Sequence, residues 1–268
     1  MIKCFELKYD DFIFLKKYCD KKKIIFLSSP HSFDAIDFLD DLVPAYKFGS
    51  GDLTNFPALK HAAKKKKPMI LGTGMANLKE IKEAVDIIKK TGNRQIICLH
   101  CTTNYPCPLD EVNLNAMDSM KKNLDCYIGY SDHTLGTIVP IAAVTMGARV
   151  IEKHFTIDKG LTGPDHRASL EPNQLKEMII QIRDIEKSLG SNEKKPNRSE
   201  KEIMKYVRKS IVAKIDIKRG EIIKKDMISI KRPGTGLSPK DFDFVIGKKA
   251  KKSIKKDGLI YKDDIGEL

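Results

Sequence analysis

Two short segments of the chain combine residue types that could bind a metal ion or take part in catalysis. Segment 129–134 contains His133 and segment 151–156 contains His154, and each has the pattern of a buried strand that ends in polar residues. The apolar, small-residue stretch 137–148 between them predicts a crossover helix, which would make the strands parallel neighbours. The histidines would then stand at matching strand ends, where two imidazoles can bind one metal ion.

A structural role is the alternative for these histidines, because a single histidine in a strand usually makes hydrogen bonds that only stabilise the fold. Their matching positions, with His166 following closely in a Gly-Pro-Asp-His phrase, favour a site. The residue types alone leave both interpretations open.

A repeating pattern surrounds these two segments. Six short apolar runs end in small polar residues: 24–30, 45–51, 68–74, 95–101, 126–132 and 150–156. Amphipathic helical segments lie between them, most clearly at 77–90, where apolar residues follow a 3.6-residue period. The pattern predicts a parallel β/α fold whose active site lies at the carboxyl ends of the strands.

Lys47 lies inside one of these predicted strands, in the phrase Tyr-Lys-Phe-Gly-Ser-Gly. A lysine at the mouth of a buried strand needs an anionic partner. Two partners are possible: a phosphate or carboxylate of a ligand, which the hydroxyl-rich strand ends favour, or a carboxylate on a neighbouring strand.

Composition limits the class of protein. With 268 residues, 41% of them hydrophobic, the chain can bury a sizeable core. No apolar run approaches a bilayer-spanning length, and the first residues lack a signal-peptide pattern, so a cytoplasmic protein without membrane contact is predicted. The six cysteines fit a reducing compartment. The Cys98-x-x-Cys101 pair is better interpreted as buried strand thiols than as a zinc or redox site.

The net charge and the sequence pattern change towards the C-terminus. Net charge is +13 for the chain and +10 for residues 191–268. We interpret this positive charge first as lysines that solvate the surface, and second as a means to attract an anionic small substrate. Nucleic-acid binding is the last choice, because few aromatic residues interleave with the lysines. We predict a partial barrel domain at 1–190, a polar linker at 191–208 and a small β-rich domain at 209–268, which would pack on the first domain or on a partner subunit.

Ordered motifs along nearly the whole chain resemble the sialic acid synthase family, which includes legionaminic and pseudaminic acid synthases and spore-coat polysaccharide enzymes. The motifs lie at 44–52, 71–75, 99–102, 105–106, 129–134, 152–156 and 163–166. The tail, with Lys-Arg-Pro-Gly at 231–234, resembles the family's C-terminal antifreeze-like (SAF) domain.

The resemblance implies an α/β fold with a (β/α)8 TIM-type barrel. Only six candidate strands are present here, and nothing in residues 1–19 resembles the family's first motif. We therefore expect an N-terminally truncated chain that lacks the first two β/α units. Six strands cannot close with the geometry of eight, and open strand edges favour aggregation or pairing with another chain. Weak folding and little activity of the isolated chain are predicted.

The resemblance also implies an activity. The family condenses phosphoenolpyruvate with the open-chain form of an N-acetylated amino sugar, releases phosphate, and requires a divalent metal, Mn²⁺ or Mg²⁺. The second hypothesis is a catalytically inactive remnant that keeps sugar or partner binding. A keto-acid sugar phosphate synthase is disfavoured by the C-terminal domain.

The matched motifs imply roles for individual residues. His133 and His154 would be metal ligands and, with Lys47, catalytic residues. The implied phosphoenolpyruvate contacts are Ser29, Lys47, Ser50 and Ser131. The other expected substrate-binding residues are Asp52, Thr73, Thr103, Tyr105 and Asp165, the last as a sugar contact. Arg232 would reach the partner subunit's active site, which implies a domain-exchanged homodimer.

Overall fold

The computed structural model describes residues 6–266. The chain divides into two compact units, with the boundary between Gly190 and Ser191. The predicted outer domain limits at residues 1 and 268 lie outside the described residues. Each unit is presented separately below.

The first unit is built on a parallel five-stranded sheet in which every strand pairs with the next along the chain. The strands are β1 (Tyr46–Phe48), β2 (Met69–Gly72), β3 (Ile96–His100), β4 (Tyr127–Asp132) and β5 (Ile151–Lys153). Because all five run in the same direction, their carboxyl ends lie along one edge of the sheet.

Helices accompany these strands. They are α1 (Tyr9–Lys22), α2 (Phe33–Leu39), α3 (Phe56–Lys64), α4 (Leu78–Lys90), α5 (Ala116–Asn123), α6 (Ile138–Thr145) and α7 (Pro172–Leu189). Helix α4 begins at an Asn77 cap, which forms a capping box with Glu80, and buries Ile81, Val85 and Ile88. The predicted helix at 77–90 and the predicted crossover helix α6 are confirmed.

The main core lies between one face of the sheet and these helices. Tyr46 and Phe48 of β1, Leu71 of β2 and Leu59 of α3 are completely or almost completely buried in it. Side chains alternate along a strand, so Lys47, between two core residues, points to the opposite face. That face is concave and borders a cavity of about 660 Å³.

The sheet is strongly curled. Nζ of Lys47 on β1 lies 3.1 Å from Oε1 of Glu152 on β5, although these are the two outermost strands of the five. A flat sheet would separate those strands by about 19 Å, at about 4.8 Å for each neighbour. The first unit is therefore a half-barrel of parallel strands, which confirms the predicted α/β class.

Segment 24–30 corrects the expected strand count, because the structure has five strands in this sheet and the sequence predicted six. Among residues 6–266, no backbone hydrogen bond joins residues 25–30 to another residue. Ile24 and Ile25 are 62% and 73% exposed. An apolar run favours a strand, but a strand is stabilised only where a neighbour supplies ladder hydrogen bonds and side-chain contacts.

The predicted linker at 191–208 is partly helical. Helix α8 (Arg198–Val207) begins at Asn197, whose side chain accepts a hydrogen bond from the Glu200 amide in a capping box. The helix buries none of its residues. The capping signal was present in the sequence, but the polar composition suggested a loop.

The second unit contains two antiparallel strand pairs, β6 with β7 and β8 with β9. The elements are β6 (Ser210–Ala213), β7 (Ile228–Lys231), α9 (Phe242–Val245), β8 (Lys249–Ala250) and β9 (Ile265–Gly266). Ile211, Ile223, Val245 and Ile260 form the fully buried centre of its own core. The predicted β-rich character of this unit is confirmed.

No helix between residues 6 and 266 is both long and apolar enough to span a bilayer.

Candidate active site

The polar ends of strands β1, β4 and β5 meet at a cavity of about 270 Å³ at the carboxyl edge of the sheet. Of the site residues predicted from sequence, six line it: Lys47, Ser50, Tyr105, Ser131, His133 and His154. The half-barrel curl brings β1 opposite β5, so residues that are more than 100 positions apart share one small volume.

The two histidines are neighbours at this edge. His133 follows β4 directly and His154 follows β5, and their ring centroids are 5.4 Å apart at an interplanar angle of 66°. The sheet register produces this pairing. Asp132 lies opposite Lys153 at the ends of β4 and β5, and the residue that follows each of them is a histidine. The structure thus brings together the two residues on which the predicted metal site depends.

Hydrogen bonding fixes the orientation of the His133 ring. Its Nδ1 lies 2.6 Å from the carbonyl oxygen of Thr102, which can only accept, so Nδ1 carries the proton and Nε2 keeps a lone pair. Burial lowers the pKa of His133, with partial compensation from the Thr102 hydrogen bond. The neutral imidazole is the form that binds a metal ion.

His154 has less protein around it. Its Nδ1 lies 3.8 Å from Oδ2 of Asp165, whose side chain is half exposed. The Tyr105 ring lies over both histidines, with centroid distances of 4.0 Å to His133 and 5.3 Å to His154. Tyr105 therefore covers one side of the imidazole pair.

The donor set fits a metal site with open positions. Within residues 6–266, no group of three or more histidine, cysteine, aspartate or glutamate side chains is arranged to hold a metal ion. An ion bound by the two imidazoles would thus leave most of its coordination sphere to water or substrate, as catalytic sites require.

Lys47 has an anionic partner in the cavity. Its Nζ contacts Glu152 Oε1 at 3.1 Å and donates to the Phe48 carbonyl oxygen at 3.3 Å. Of the two partners that the sequence left open, the structure shows the carboxylate of another strand. The Glu152 side chain is 39% exposed, so a stronger anion entering the cavity can compete for the ammonium group.

Ser50 is positioned by the turn after β2. The Gly74 amide donates to Ser50 Oγ at 3.0 Å, and Cys101 Sγ lies 3.1 Å from the same oxygen. A Cβ at Gly74 would come within 2.1 Å of Thr103 Oγ1, so a larger residue there would have to displace that hydroxyl. These two contacts fix the position of the Ser50 hydroxyl at the wall of the cavity.

Several residues that were predicted to contact substrate do not line this cavity. Thr73 is buried and donates its hydroxyl hydrogen to the Leu99 carbonyl oxygen at 2.8 Å. Asp52 faces His31, with 3.6 Å between Oδ2 and Nδ1. Thr103 is exposed. The structure does not bring these three residues into the cavity with the histidines.

Two other residues that were predicted to contact substrate, Ser29 and Arg232, also lie outside the cavity that contains the histidines. Ser29 lines the adjacent cavity of about 660 Å³, which Lys47 and Glu152 also border. Arg232 belongs to the second unit, where its Nε donates to the Val207 carbonyl oxygen at 3.0 Å.

Sequence reasoning missed Glu152 and Lys153 as residues of the cavity. For Glu152 a signal existed, because strand alternation places it on the same face as His154. For Lys153 there was none, because a lysine at the end of a strand is usually solvated.

Comparisons with known proteins show what the chain is similar to. The sequence model of the NeuB family matches residues 1–194, and that of the SAF domain matches residues 208–266. An uncharacterised protein of Methanocaldococcus jannaschii is 46% identical over 99% of this chain and 79% of its own length. The N,N'-diacetyllegionaminic acid synthase of Campylobacter jejuni is 48% identical over 91% of this chain and 74% of its own length.

A solved structure supports the fold as well. The Bacillus subtilis spore coat polysaccharide biosynthesis protein SpsE matches with a TM-score of 0.66 and 35% identity, over 98% of this chain and 79% of that one. The resemblance inferred from the motifs is confirmed. The alignments cover almost all of this chain and do not clearly support the expected truncation, which stays a prediction.

Proposed function

The chain belongs to the NeuB family, and we propose that it is a nonulosonic acid synthase that joins phosphoenolpyruvate to an open-chain N-acetylated amino sugar and releases phosphate. Relatives bearing the names of legionaminic, pseudaminic and N-acetylneuraminate-9-phosphate synthases support this activity. The observation that carries the proposal is the convergence of Lys47, Ser131 and the two histidines on one cavity at the strand ends.

Phosphoenolpyruvate brings a carboxylate and a phosphate, and the cavity offers groups that bind both. Lys47 supplies an ammonium group, and the hydroxyls of Ser50 and Ser131 supply hydrogen-bond donors. On binding, Lys47 would exchange Glu152 for the ligand's anion. Glu152 would then be free to hold a proton inside the cavity.

The reaction forms one carbon–carbon bond and one carbon–oxygen bond to water, and it breaks the carbon–oxygen bond to phosphate. The methylene carbon of phosphoenolpyruvate attacks the aldehyde carbon of the sugar, and the aldehyde oxygen gains a proton. Water adds to the electron-poor carbon that results, and loss of phosphate yields the keto acid. The chain's own contribution is to hold the two substrates in contact and to stabilise the charges that develop.

His133 and His154 are the residues that would hold Mn²⁺ or Mg²⁺. When bound, such an ion supplies Lewis-acid polarisation of the aldehyde oxygen. The Thr102 carbonyl fixes the His133 tautomer, and the Tyr105 ring packs against both imidazoles.

Assembly and location belong to the same proposal. We further propose a domain-exchanged homodimer in which Arg232, a residue within the SAF match, enters the partner subunit's site. A cytoplasmic location is supported by the thiols of Cys98, Cys101 and Cys107, which are buried and free.

The test is phosphate release from phosphoenolpyruvate with Mn²⁺, with product mass as a second readout. N-acetylmannosamine and a diacetamido-trideoxyhexose are offered in parallel, with a chelator as control. We expect release only when a sugar is present, together with a product whose mass is that of the sugar plus pyruvate. A folded chain that binds Mn²⁺ and releases no phosphate with either sugar would favour the inactive remnant.

A further inference from the structure

A buried ion pair lies directly behind the two histidines. Lys153 Nζ is 2.6 Å from Asp132 Oδ2, and the side chains are 2% and 0% exposed. Asp132 is the residue before His133, and Lys153 is the residue before His154. The pair therefore connects the ends of β4 and β5 at the position from which both imidazoles project.

The network around the pair satisfies both oxygens of the aspartate. Oδ1 of Asp132 accepts from the Thr134 amide at 3.1 Å, from the Thr134 hydroxyl at 2.9 Å and from the Tyr130 hydroxyl at 3.1 Å. Lys153 also donates to the Thr134 carbonyl oxygen. Burial and the nearby Asp132 carboxylate raise the pKa of Tyr130, which keeps its hydroxyl a neutral donor.

The ladder between β4 and β5 ends at these two residues. Asp132 and Lys153 are the last pair in register, so each histidine lies one residue beyond the paired region. The carbonyl oxygens of His133 and His154 accept from Cys107 and Leu170 respectively, which ties each histidine to a different loop. Within the described chain, Lys153 therefore links the two strand ends directly at this level, through its ion pair with Asp132 and its hydrogen bond to Thr134.

Stability alone is a weak reason for such a pair. Well-packed apolar side chains often replace a buried ion pair without loss of stability, whereas removal of one partner leaves a costly isolated charge. A buried pair does, however, determine geometry, because both partners accept only one arrangement.

We propose that Asp132 and Lys153 are positioning residues that set the separation and orientation of His133 and His154 for a divalent cation. The inference rests on the proposed function, in which the two imidazoles are the protein ligands of that ion. Residues that orient metal ligands typically change metal affinity about 10- to 100-fold when altered.

The experiment compares Mn²⁺ binding, measured by electron paramagnetic resonance titration, with thermal unfolding. The double variant Asp132→Asn with Lys153→Met removes both charges and leaves neither uncompensated. The matched control is Asp37→Asn with Lys65→Met, which removes an ion pair of 2.7 Å that is partly exposed and lies outside the cavity.

We expect Mn²⁺ affinity to fall about 10- to 100-fold in the Asp132/Lys153 variant and to stay unchanged in the control, with little change in melting temperature in either. A folded Asp132/Lys153 variant with wild-type Mn²⁺ affinity would overturn the inference and leave the proposed function standing. Failure of the wild-type chain to bind Mn²⁺ would instead overturn the metal site of the proposed function, and the inference with it.

Thr134→Val decides the question if the double variant does not fold. It removes one hydroxyl donor to Asp132 and no charge. Weaker Mn²⁺ binding by this folded variant supports the positioning role, and unchanged binding overturns it.

Discussion

Segment 24–30 resembles strands β4 and β5 in sequence, because each is an apolar run that leads into small polar residues. In the structure, however, the segment differs from these two strands. Strand β4 is paired on both sides, and its residues 128–132 are buried. Segment 24–30 has no ladder partner within residues 6–266, and Ile25 is 73% exposed. Strand propensity is local, whereas stabilisation of a strand depends on its neighbours.

The difference also separates the candidate site residues. His133 and His154 are held by the register of two paired strands, by backbone hydrogen bonds and by the ion pair behind them. Ser29 extends from a segment without such support, and it does not line the cavity that contains the two histidines. Residues on paired strand ends should therefore contribute more to catalysis than residues on the unsupported segment.

Amide hydrogen exchange gives the largest expected contrast. The Tyr130 amide donates to the Val150 carbonyl oxygen at 2.8 Å inside the sheet, whereas residues 25–30 donate no backbone hydrogen bond to a described residue. We expect β4 amides to exchange about 1,000-fold or more slowly than those of 25–30, measured by mass spectrometry of peptic fragments. Equal protection of the two segments would show that 24–30 pairs in solution.

Activity should separate Lys47 from Ser29. Lys47→Met removes the ammonium group from the cavity, and we expect kcat/KM to fall about 10²- to 10³-fold, as for loss of a charge-stabilising donor. Ser29→Ala should cost about tenfold or less, because the hydroxyl lies on the unsupported segment. Steady-state phosphate release measures both.

The control for Lys47→Met is Lys64→Met, which removes an exposed lysine from the last turn of α3. It should retain wild-type activity. A Ser29→Ala loss as large as that of Lys47→Met would contradict the ranking of the two regions.

Stability should also separate the two regions. Leu71 of β2 is completely buried, and Leu71→Ala should lower the free energy of unfolding by about 2–5 kcal/mol. Ile25→Ala should change it by less than about 0.5 kcal/mol, because that side chain is mostly exposed. Urea denaturation followed by circular dichroism compares them, and similar losses would mean that Ile25 packs into a core.

Local patterns in the sequence predicted much of the first unit. The 3.6-residue period of α4 and the strand that contains Lys47 depend mainly on neighbouring residues, and the structure reproduces both. The convergence of the two histidines also followed from local pattern, because a crossover helix between two strands makes them parallel neighbours.

Features that depend on distant parts of the chain were not predictable in the same way. The Lys47–Glu152 contact requires the curl of the whole sheet, which no single segment encodes. The burial of Lys153 requires Asp132 on the next strand. Segment 24–30 was assigned to a strand because its composition is suitable, while the absence of a partner could not be read from its own residues.

The central claim is that the ends of β4 and β5 form a divalent-cation site, and Mn²⁺ titration of single histidine variants tests it most directly. Wild type, His133→Ala, His154→Ala and the control His61→Ala, which alters a partly exposed histidine paired with Asp37, are titrated by electron paramagnetic resonance. We predict saturable binding by wild type and control, and at least about 100-fold weaker binding by either site variant. Wild-type affinity in a folded His133→Ala or His154→Ala chain would contradict the account.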